Sequence, residues 1–408
     1  MSDRVALAGN SLSDHPCRAA IADLTSRINS QPPALQWVVV GTGMMGREHI
    51  QACWILGQAE IYGIYDPSEE SIAATLALFE RANRPPPRRF VSLEELAADA
   101  TVDAVIISTP NYTHKTIFDQ LEHSGLPMLI EKPMATTLDD ALYLANAARR
   151  HPAVIQMGMQ YRYKSQYQLA LQTLRAGSLG DIKMVSMSEY RPPFLNKIDQ
   201  WNKFEKYSGG TLVEKCCHYF DLINQFAGAF PARVFAFGGQ AVNFLDFQYG
   251  GDASDIHDHA MVMIEFENHV IAQFTLNMFS RELSEELHLG GSEGRLHARE
   301  DASFDPNKKS RANIKIEVPG HPYYDGVDCT YPEPIELTGH YGSTLFENDR
   351  FVRQSQGEVA DAATIEQGLW AIITASMAQR AIETRSVVDV RQALAGLQID
   401  PYDFNPFG

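Results

Sequence analysis

Residues 37–46 read WVVVGTGMMG, an apolar run that passes directly into the pattern G-x-G-x-x-G. The run is typical of a buried strand, and apolar residues at helical spacing follow it. In such a strand–turn–helix unit the glycines allow a tight turn, close approach of backbone to a pyrophosphate, and close packing of the helix. The N–H groups that begin the helix favour an anion. Dinucleotide binding is therefore predicted, a tight turn without a ligand being the alternative. The residues assigned to the cofactor are Gly41, Gly43, Met44, Met45 and Gly46.

Asp66 lies at the end of the next predicted strand, Glu60 to Tyr65, and 20 residues after Gly46. A carboxylate at this place accepts hydrogen bonds from the adenosine ribose hydroxyls and repels a 2′-phosphate. The pattern therefore favours NAD over NADP. The alternative is a turn aspartate that precedes Pro67.

The order of elements predicts two domains of different construction. Strands and helices alternate up to about residue 160, which is typical of βαβ crossovers and a parallel, doubly wound sheet. Beyond that point longer alternating strands dominate, with a hairpin expected over 259–279, and they indicate a mostly antiparallel open sheet. The last helix, 364–384, is expected to dock onto the first domain. The predicted boundaries are an N-terminal extension 1–34 with a helix over 21–28, a Rossmann domain 35–160, an α+β domain 161–390 and a tail 391–408.

Composition excludes several classes of protein. The chain has 408 residues, 34 Lys+Arg and 51 Asp+Glu, and a formal net charge of −17, so a phosphate backbone is repelled and nucleic acid is not an expected partner. No apolar run approaches the roughly 18 residues of a membrane-spanning helix, and the N-terminus lacks the order of a secretory signal. The five cysteines are too scattered for a disulfide framework. A cytoplasmic protein without membrane contact is expected.

Two later segments follow predicted strands, STPNYTH at 108–114 and Glu131-Lys132-Pro133. Together with the glycine motif, in this order and at these spacings, they resemble the Gfo/Idh/MocA family, the relatives of glucose–fructose oxidoreductase and inositol dehydrogenase. The resemblance extends over about residues 36–390. It implies an N-terminal Rossmann domain, a C-terminal domain with a large open sheet, and a homo-oligomer (dimer or tetramer) that assembles through this sheet.

The same resemblance implies roles in the first domain. Lys132 would lie beside the nicotinamide, contact the substrate hydroxyl and help to manage its proton, and the proline peptide that follows is commonly cis in the family. A lysine near a cationic nicotinamide has its charged form disfavoured, which lowers its pKa toward a useful range. Arg162, in the segment QYRY, would reach cofactor or substrate. For His114 a capping or surface role is the alternative. The residues implied to line the cofactor are Thr109, Pro110, Asn111, His114, Glu131, Lys132 and Arg162.

In the second domain, GGTLVEKCCHYFD at 209–221 resembles the family segment GGxxxDxGxHxxD. His218 matches the histidine often assigned as acid–base, and its imidazole titrates near neutrality. Glu214 takes the aspartate position, and its spacing predicts one face of one helix. Lys215 departs from the family pattern and is either a second cation near the substrate or a solvent-facing residue. Cys216 and Cys217 are interpreted as small packing residues.

The resemblance implies an NAD-dependent dehydrogenase that oxidises a secondary hydroxyl of a sugar, glycoside or cyclic polyol, with Lys132, His218 and Glu214 as catalytic residues. Trp201 is expected to cover a sugar face or simply to pack. Redox-neutral cleavage of a glycoside through a transient keto intermediate and a non-catalytic NAD sensor are the alternatives. No metal site is expected, since His257 and His259 share a strand face with one nearby carboxylate only. The individual sugar or polyol is not identified by these residues.

Overall fold

The computed structural model describes residues 15–30, 34–303, 308–319 and 326–407. The helix expected over 21–28 is present, and the other residues of the predicted N-terminal extension, 1–14 and 31–33, lie outside the described ranges. The helices are α1 Arg18–Asn29, α2 Met44–Leu56, α3 Glu69–Arg81, α4 Leu93–Ala97, α5 His114–Leu121, α6 Leu138–Ala148, α7 Ser165–Arg175, α8 Glu205–Ser208, α9 Thr211–Glu214, α10 Cys217–Ala227, α11 Glu333–Glu336, α12 Ser343–Ser355, α13 Ile365–Thr384 and α14 Val390–Leu394. The strands are β1 Leu35–Val40, β2 Ala59–Tyr65, β3 Arg88–Arg89, β4 Ala104–Ile107, β5 Met128–Glu131, β6 Ile155–Gly158, β7 Ile182–Tyr190, β8 Pro231–Gly239, β9 Gln248–Tyr249, β10 Asp252–Ala253, β11 His259–Phe266, β12 Ile271–Asn277, β13 Leu283–Gly291, β14 Arg295–Ala302, β15 Arg311–Glu317, β16 Val327–Asp328 and β17 Val388–Asp389.

The first compact unit is built on a six-stranded sheet in the order β3-β2-β1-β4-β5-β6. Every pair in this sheet is parallel. Residues 37–40 of β1 and the whole of β4 are apolar, and all of them are fully buried, as expected of a sheet covered on both faces. The predicted Rossmann-type sheet is confirmed.

The two compact units are discontinuous in sequence, whereas the sequence prediction drew continuous domains. Unit 1 comprises the described residues of 15–134, 143–163 and 331–365, and unit 2 comprises those of 135–142, 164–330 and 366–407. Helix α13 belongs almost wholly to unit 2, and the docking of helix 364–384 onto the first domain stays a prediction. A different helix, α12, packs against α2 within unit 1.

The second unit contains a nine-stranded sheet in the order β16-β15-β14-β13-β7-β12-β11-β8-β17. Within the described residues β7 and β12 pair in parallel and the other neighbours are antiparallel, so the predicted mostly antiparallel sheet is confirmed. The predicted hairpin is formed by β11 and β12. Helix α10 covers one face, where Tyr219 stacks on Phe274 with ring centroids 4.8 Å apart.

Among the residues that the structure describes, no helix combines the length and the apolar composition needed to cross a bilayer.

Candidate active site

The turn between β1 and α2 is shaped by its three glycines. Gly41 has φ +88°, and a Cβ on it would lie 2.7 Å from backbone atoms of Ser108 and Thr109. A Cβ on Gly46 would lie 2.0 Å from the carbonyl oxygen of Gly41, so neither position accepts a side chain. A Cβ on Gly43 would meet nothing within 4 Å. The middle glycine therefore leaves open space above the start of α2, which fits close approach of a pyrophosphate.

Asp66 is held at the end of β2 by backbone donors. Its Oδ2 accepts hydrogen bonds from the N–H of Thr42 at 2.7 Å and from the Thr42 hydroxyl at 3.1 Å, and its Oδ1 accepts from the N–H of Ser68 at 2.8 Å. The turn role that was the alternative is therefore present. Oδ2 already accepts two hydrogen bonds, whereas Oδ1 accepts one and keeps a second lone pair, so the predicted contact with a ribose remains open to Asp66 through Oδ1.

His114 joins the two motif loops of unit 1. Its imidazole Nδ1 lies 2.9 Å from the carbonyl oxygen of Pro133 and its Nε2 lies 3.0 Å from that of Thr109. Burial lowers the pKa of His114. Both ring nitrogens thus face backbone carbonyls, and the side chain positions the loop of Thr109, Pro110 and Asn111 against the loop that contains Lys132.

Glu131 ends β5 as a buried carboxylate directly before Lys132. Its Oε2 accepts a hydrogen bond from the N–H of Lys132 at 3.0 Å, and its Oε1 lies 2.9 Å from Nε2 of His49 on α2. Nδ1 of His49 lies 2.7 Å from Oδ1 of Asn348 on α12. Burial opposes charge on both groups, yet the hydrogen bond and opposite charge of the partner raise the pKa of His49 and lower that of Glu131.

A second buried carboxylate, Glu347 on α12, lies near the first. Burial, together with the charges of Glu131 and Glu48, raises the pKa of Glu347 well above its usual range. Sequence reasoning missed His49, Asn348 and Glu347. The available signal was weak, namely a histidine among the apolar residues of α2 and the charged run Glu347 to Arg350 between the apolar residues of α12.

Lys132 and Arg162 were both assigned to the cofactor and substrate. Lys132 is partly exposed at the carboxyl end of β5, and the peptide bond between Lys132 and Pro133 is cis, as the family resemblance implies. Arg162 lies in a buried 3-10 helix, Gln160–Tyr163, and is 6% exposed. Both belong to unit 1.

In unit 2, the helix expected to carry Glu214 and His218 is broken. Glu214 ends α9 and His218 lies in the first turn of α10, with Lys215 and Cys216 between the two helices. The prediction that both side chains share one face of a continuous helix is therefore wrong. All four residues are buried.

Ion pairs hold the charged residues of this segment. Nζ of Lys215 lies 3.1 Å from Oε1 of Glu189 on β7, and Nζ of Lys197 lies 3.1 Å from Oε1 of Glu214. The solvent-facing alternative for Lys215 is wrong, since the residue is 6% exposed. Sequence reasoning missed Glu189 and Lys197, because no pattern in the neighbouring sequence indicates the residues with which they form ion pairs.

Trp201 lies in the same unit and is only 6% exposed. Nζ of Lys197 lies 4.3 Å from the centroid of its ring. Its packing is thus clear, whereas its predicted contact with a sugar remains a prediction. Burial raises the pKa of the Cys216 thiol well above its usual range, which agrees with Cys216 being a packing residue.

In the segment His257-Asp258-His259, the carboxylate of Asp258 binds backbone N–H groups of a nearby loop. Asp258 accepts hydrogen bonds from the N–H groups of residues 241–243, at 2.7 to 3.1 Å, and its Oδ1 lies 2.8 Å from Nδ1 of His259. The carboxylate of Asp258 therefore has hydrogen-bond partners on both oxygens.

Unit 1 has the features of a dinucleotide-binding domain. It has a parallel sheet, a glycine turn, an acidic residue after β2 and open space over a helix N-terminus. Family models agree: one described as "Oxidoreductase family, NAD-binding Rossmann fold" matches residues 35–159, and one described as "Oxidoreductase family, C-terminal alpha/beta domain" matches residues 172–390. The chain belongs to the Gfo/Idh/MocA oxidoreductase family, and residues 35–159 form its NAD-binding domain.

Individual relatives act on sugars and related compounds according to their names. The 1,5-anhydro-D-fructose reductase of Ensifer adhaerens is 24% identical over 366 residues, which cover 88% of this chain and 99% of that protein. The rhizopine catabolism protein MocA of Rhizobium meliloti is 29% identical over 199 residues, 48% of this chain and 58% of that protein. The chain spans about half the length of the latter and of other curated relatives that it matches.

A solved structure with the same fold is levoglucosan dehydrogenase in complex with NADH and levoglucosan. It superposes with a TM-score of 0.69 at 19% identity, and the match covers 88% of this chain and 100% of that chain. At this identity the likeness establishes the shared fold.

Proposed function

We propose that this protein is an NAD-dependent dehydrogenase that oxidises a secondary hydroxyl of a sugar, glycoside or cyclic polyol. The observation that carries the proposal is the carboxyl edge of the parallel sheet, where β1, β2 and β5 end in the glycine turn, Asp66 and Lys132 respectively. Doubly wound sheets bind their ligands at this edge. The names of the relatives support a sugar or polyol as substrate.

The residues of the glycine turn and Asp66 would hold NAD, which would accept hydride from the carbinol carbon when bound, while residues of this chain remove the hydroxyl proton. Lys132 contacts the hydroxyl and takes part in removing its proton, as the family resemblance implies. His218 supplies the second acid–base group, and Glu214 and Lys215 tune the charge around it through their pairs with Lys197 and Glu189.

The experiment measures reduced nicotinamide by its absorbance, with purified protein, NAD and a panel of sugars, glycosides and inositols. Steady accumulation with one class of alcohol is expected and would identify the substrate class. A burst limited to one reduced cofactor per subunit would instead favour redox-neutral glycoside cleavage, and silence with every alcohol would contradict the dehydrogenase.

The matched variant is Lys132→Met, which keeps the length of the side chain and removes its amine. General acid–base groups contribute roughly 100-fold or more, so we expect turnover to fall by at least about 100-fold while the Kd for NADH changes little. Lys183→Met, an exposed lysine of unit 2, is the control and should leave turnover unchanged. Turnover of Lys132→Met within about tenfold of the wild-type rate would refute the assigned role.

The proposal also includes a homo-oligomer formed through the outer face of the nine-stranded sheet and a reducing, cytoplasmic location. The location is supported by the cysteines, since all five are buried thiols. The oligomer is supported by apolar side chains exposed on that face.

A further inference from the structure

Glu347 is an ionisable residue in a fully buried place. It is 0% exposed, and neither of its carboxylate oxygens has a hydrogen-bond partner among the residues that the structure describes. Buried carboxylates are normally paired, hydrogen-bonded or bound to a metal ion, because the cost of burying an unpaired charge is large. A partner for Glu347 is therefore to be sought in the space between its neighbours.

The orientation of His49 follows from the amide of Asn348. Nδ2 of Asn348 donates to the carbonyl oxygen of His49 at 3.1 Å, and a carbonyl can only accept. Oδ1 of Asn348 therefore faces Nδ1 of His49, 2.7 Å away, and Nδ1 must carry a proton. A neutral imidazole in this tautomer directs the lone pair of Nε2 at Glu131. Metal-ligating histidines commonly have this arrangement, with the other ring N–H donated to an oxygen.

The three groups converge. His49, Glu131 and Glu347 each offer one potential ligand atom, and these three atoms lie within 4.8 Å of one another. All three residues are buried. Nε2 of His49 and Oε1 of Glu131 are 2.9 Å apart, close to the separation of neighbouring ligands that each lie about 2.1 Å from one cation. Two carboxylates and one imidazole match the charge of a divalent ion and suit the borderline metals of the first transition row.

We propose that His49, Glu131 and Glu347 form a binding site for a divalent transition-metal ion of the Zn²⁺ or Mn²⁺ type. The ion would join α2, the end of β5 and α12 within unit 1, and would hold Glu131 while the other oxygen of that carboxylate accepts the N–H of Lys132 at 3.0 Å. The site is structural and lies outside the hydride transfer of the proposed function. Binding would displace the protons that otherwise neutralise these groups.

The first experiment needs no variant at the site. Protein produced in medium supplemented with Zn²⁺ or Mn²⁺ is purified and its metal content measured by mass spectrometry, with electron paramagnetic resonance for Mn²⁺. A surface cluster, Glu286, His288 and His297, also has three potential ligands, so the measurement uses a His288→Asn/His297→Asn background. About one equivalent per chain is expected, together with a higher Tm than for protein treated with a chelator.

The second experiment compares Glu347→Gln with Glu300→Gln in that background. Glu300 is also a buried glutamate, in unit 2, and accepts hydrogen bonds from Lys164 and Gln166. We expect Glu347→Gln to lower metal content at least tenfold and Glu300→Gln to retain it. Sub-stoichiometric metal in the parent protein, or equal content in both variants, would overturn the proposal. In that case a Glu347→Gln protein as stable as the parent would identify Glu347 as a neutral acid. NADH affinity, measured in parallel, tests the proposed function separately.

Discussion

One carboxylate, that of Asp66, supports the glycine turn and sets the charge at the cofactor edge. Its hydrogen bonds to the N–H groups of Thr42 and Ser68 fix its position after β2. Because Oδ1 accepts one hydrogen bond and keeps a second lone pair, the same group can bind ribose hydroxyls and repel a 2′-phosphate. Replacing Asp66 by Asn removes the charge and one of the two acceptor oxygens, so the ratio of the two cofactor affinities, and not either affinity alone, reports the selective role.

Asp66→Asn keeps the shape of the side chain and one oxygen acceptor. Like charges about 4 Å apart near a protein surface oppose each other by roughly 4 kcal/mol before screening. We therefore expect the preference for NADH over NADPH to fall by about tenfold or more, which corresponds to about 1.4 kcal/mol. Fluorescence titration with both cofactors, at low and high salt, measures the ratio of the two Kd values.

The control is Asp103→Asn, which makes the same charge change at the opposite end of the sheet. Asp103 accepts the N–H of Gln36 at 2.7 Å, where β1 begins. The variant Asp103→Asn should leave the ratio of the Kd values for NADH and NADPH unchanged. If Asp66→Asn weakens both cofactors equally, Asp66 acts only on the turn.

The functional residues that can be predicted from the sequence contact residues near them in the chain, whereas those that were missed contact residues far away in the chain. The glycines, Asp66 and Lys132 act through the strand or turn in which they lie, so spacing along the chain is informative. His49 and Asn348 are 299 residues apart, and no periodicity connects them. Lys215 was recognised as a departure from the family pattern. Its partner Glu189 lies on β7, far away in the chain, so the sequence did not show whether Lys215 faces the substrate or the solvent.

At the level of whole elements, the predicted helix 21–28 and the predicted strand 60–65 of unit 1 agree with α1 and β2 within one to three residues. Polar caps such as Ser68, whose hydroxyl accepts the N–H of Ser71, mark where helices begin. The break between α9 and α10 was missed for a physical reason. Residues 208–224 are all buried, so no amphipathic stripe distinguishes one straight helix from two short ones.

Asp258 shows how a single acid can organise a loop. Three backbone N–H groups, of Ala241, Val242 and Asn243, point at its carboxylate, and His259 lies beside it. Burial opposes the charge, but His259 and these donors together lower the pKa of Asp258 below its usual value of 3.8. An ionised Asp258 is thus stabilised by folding, and the loop before β11 depends on that charge.

Asp258→Asn is expected to destabilise the protein by about 1–3 kcal/mol at neutral pH, because an amide cannot replace an anion in front of three donors. A lowered pKa in the folded state contributes stability that is present above the unfolded pKa and lost as the pH falls through the folded pKa. The difference in Tm between wild type and variant should therefore be constant above about pH 5 and shrink below about pH 4.

Thermal unfolding between pH 7 and pH 3 provides the measurement, with Asp181→Asn, an exposed aspartate, as the control that should match wild type throughout. A difference in Tm that persists undiminished at pH 3 would show that Asp258 acts through packing and not through its charge.

For the whole molecule, the outer face of the nine-stranded sheet is the surface that most needs a partner. Its exposed apolar residues are neighbours across strands: Met261 pairs with Phe237, and Ile271 pairs with Met184. These four side chains are 50–67% exposed. A contiguous apolar patch of this kind marks an interaction site, and a second copy of the same sheet offers a self-complementary surface.

The expected assembly can be broken without disturbing the core, because Met261 and Met263 point away from the helices that cover the sheet. We expect wild-type protein to be a dimer or larger at micromolar concentration by light scattering after size exclusion, and Met261→Lys/Met263→Glu to be a monomer with an unchanged circular dichroism spectrum. The two opposite charges leave the net charge unaltered, so the change reports lost apolar contact and desolvation of charge. Val359→Lys, at a fully exposed valine of unit 1, serves as the matched control and should retain the wild-type mass. A monomeric wild type would leave the patch without a second copy, and an oligomeric double variant would place the interface elsewhere on the molecule.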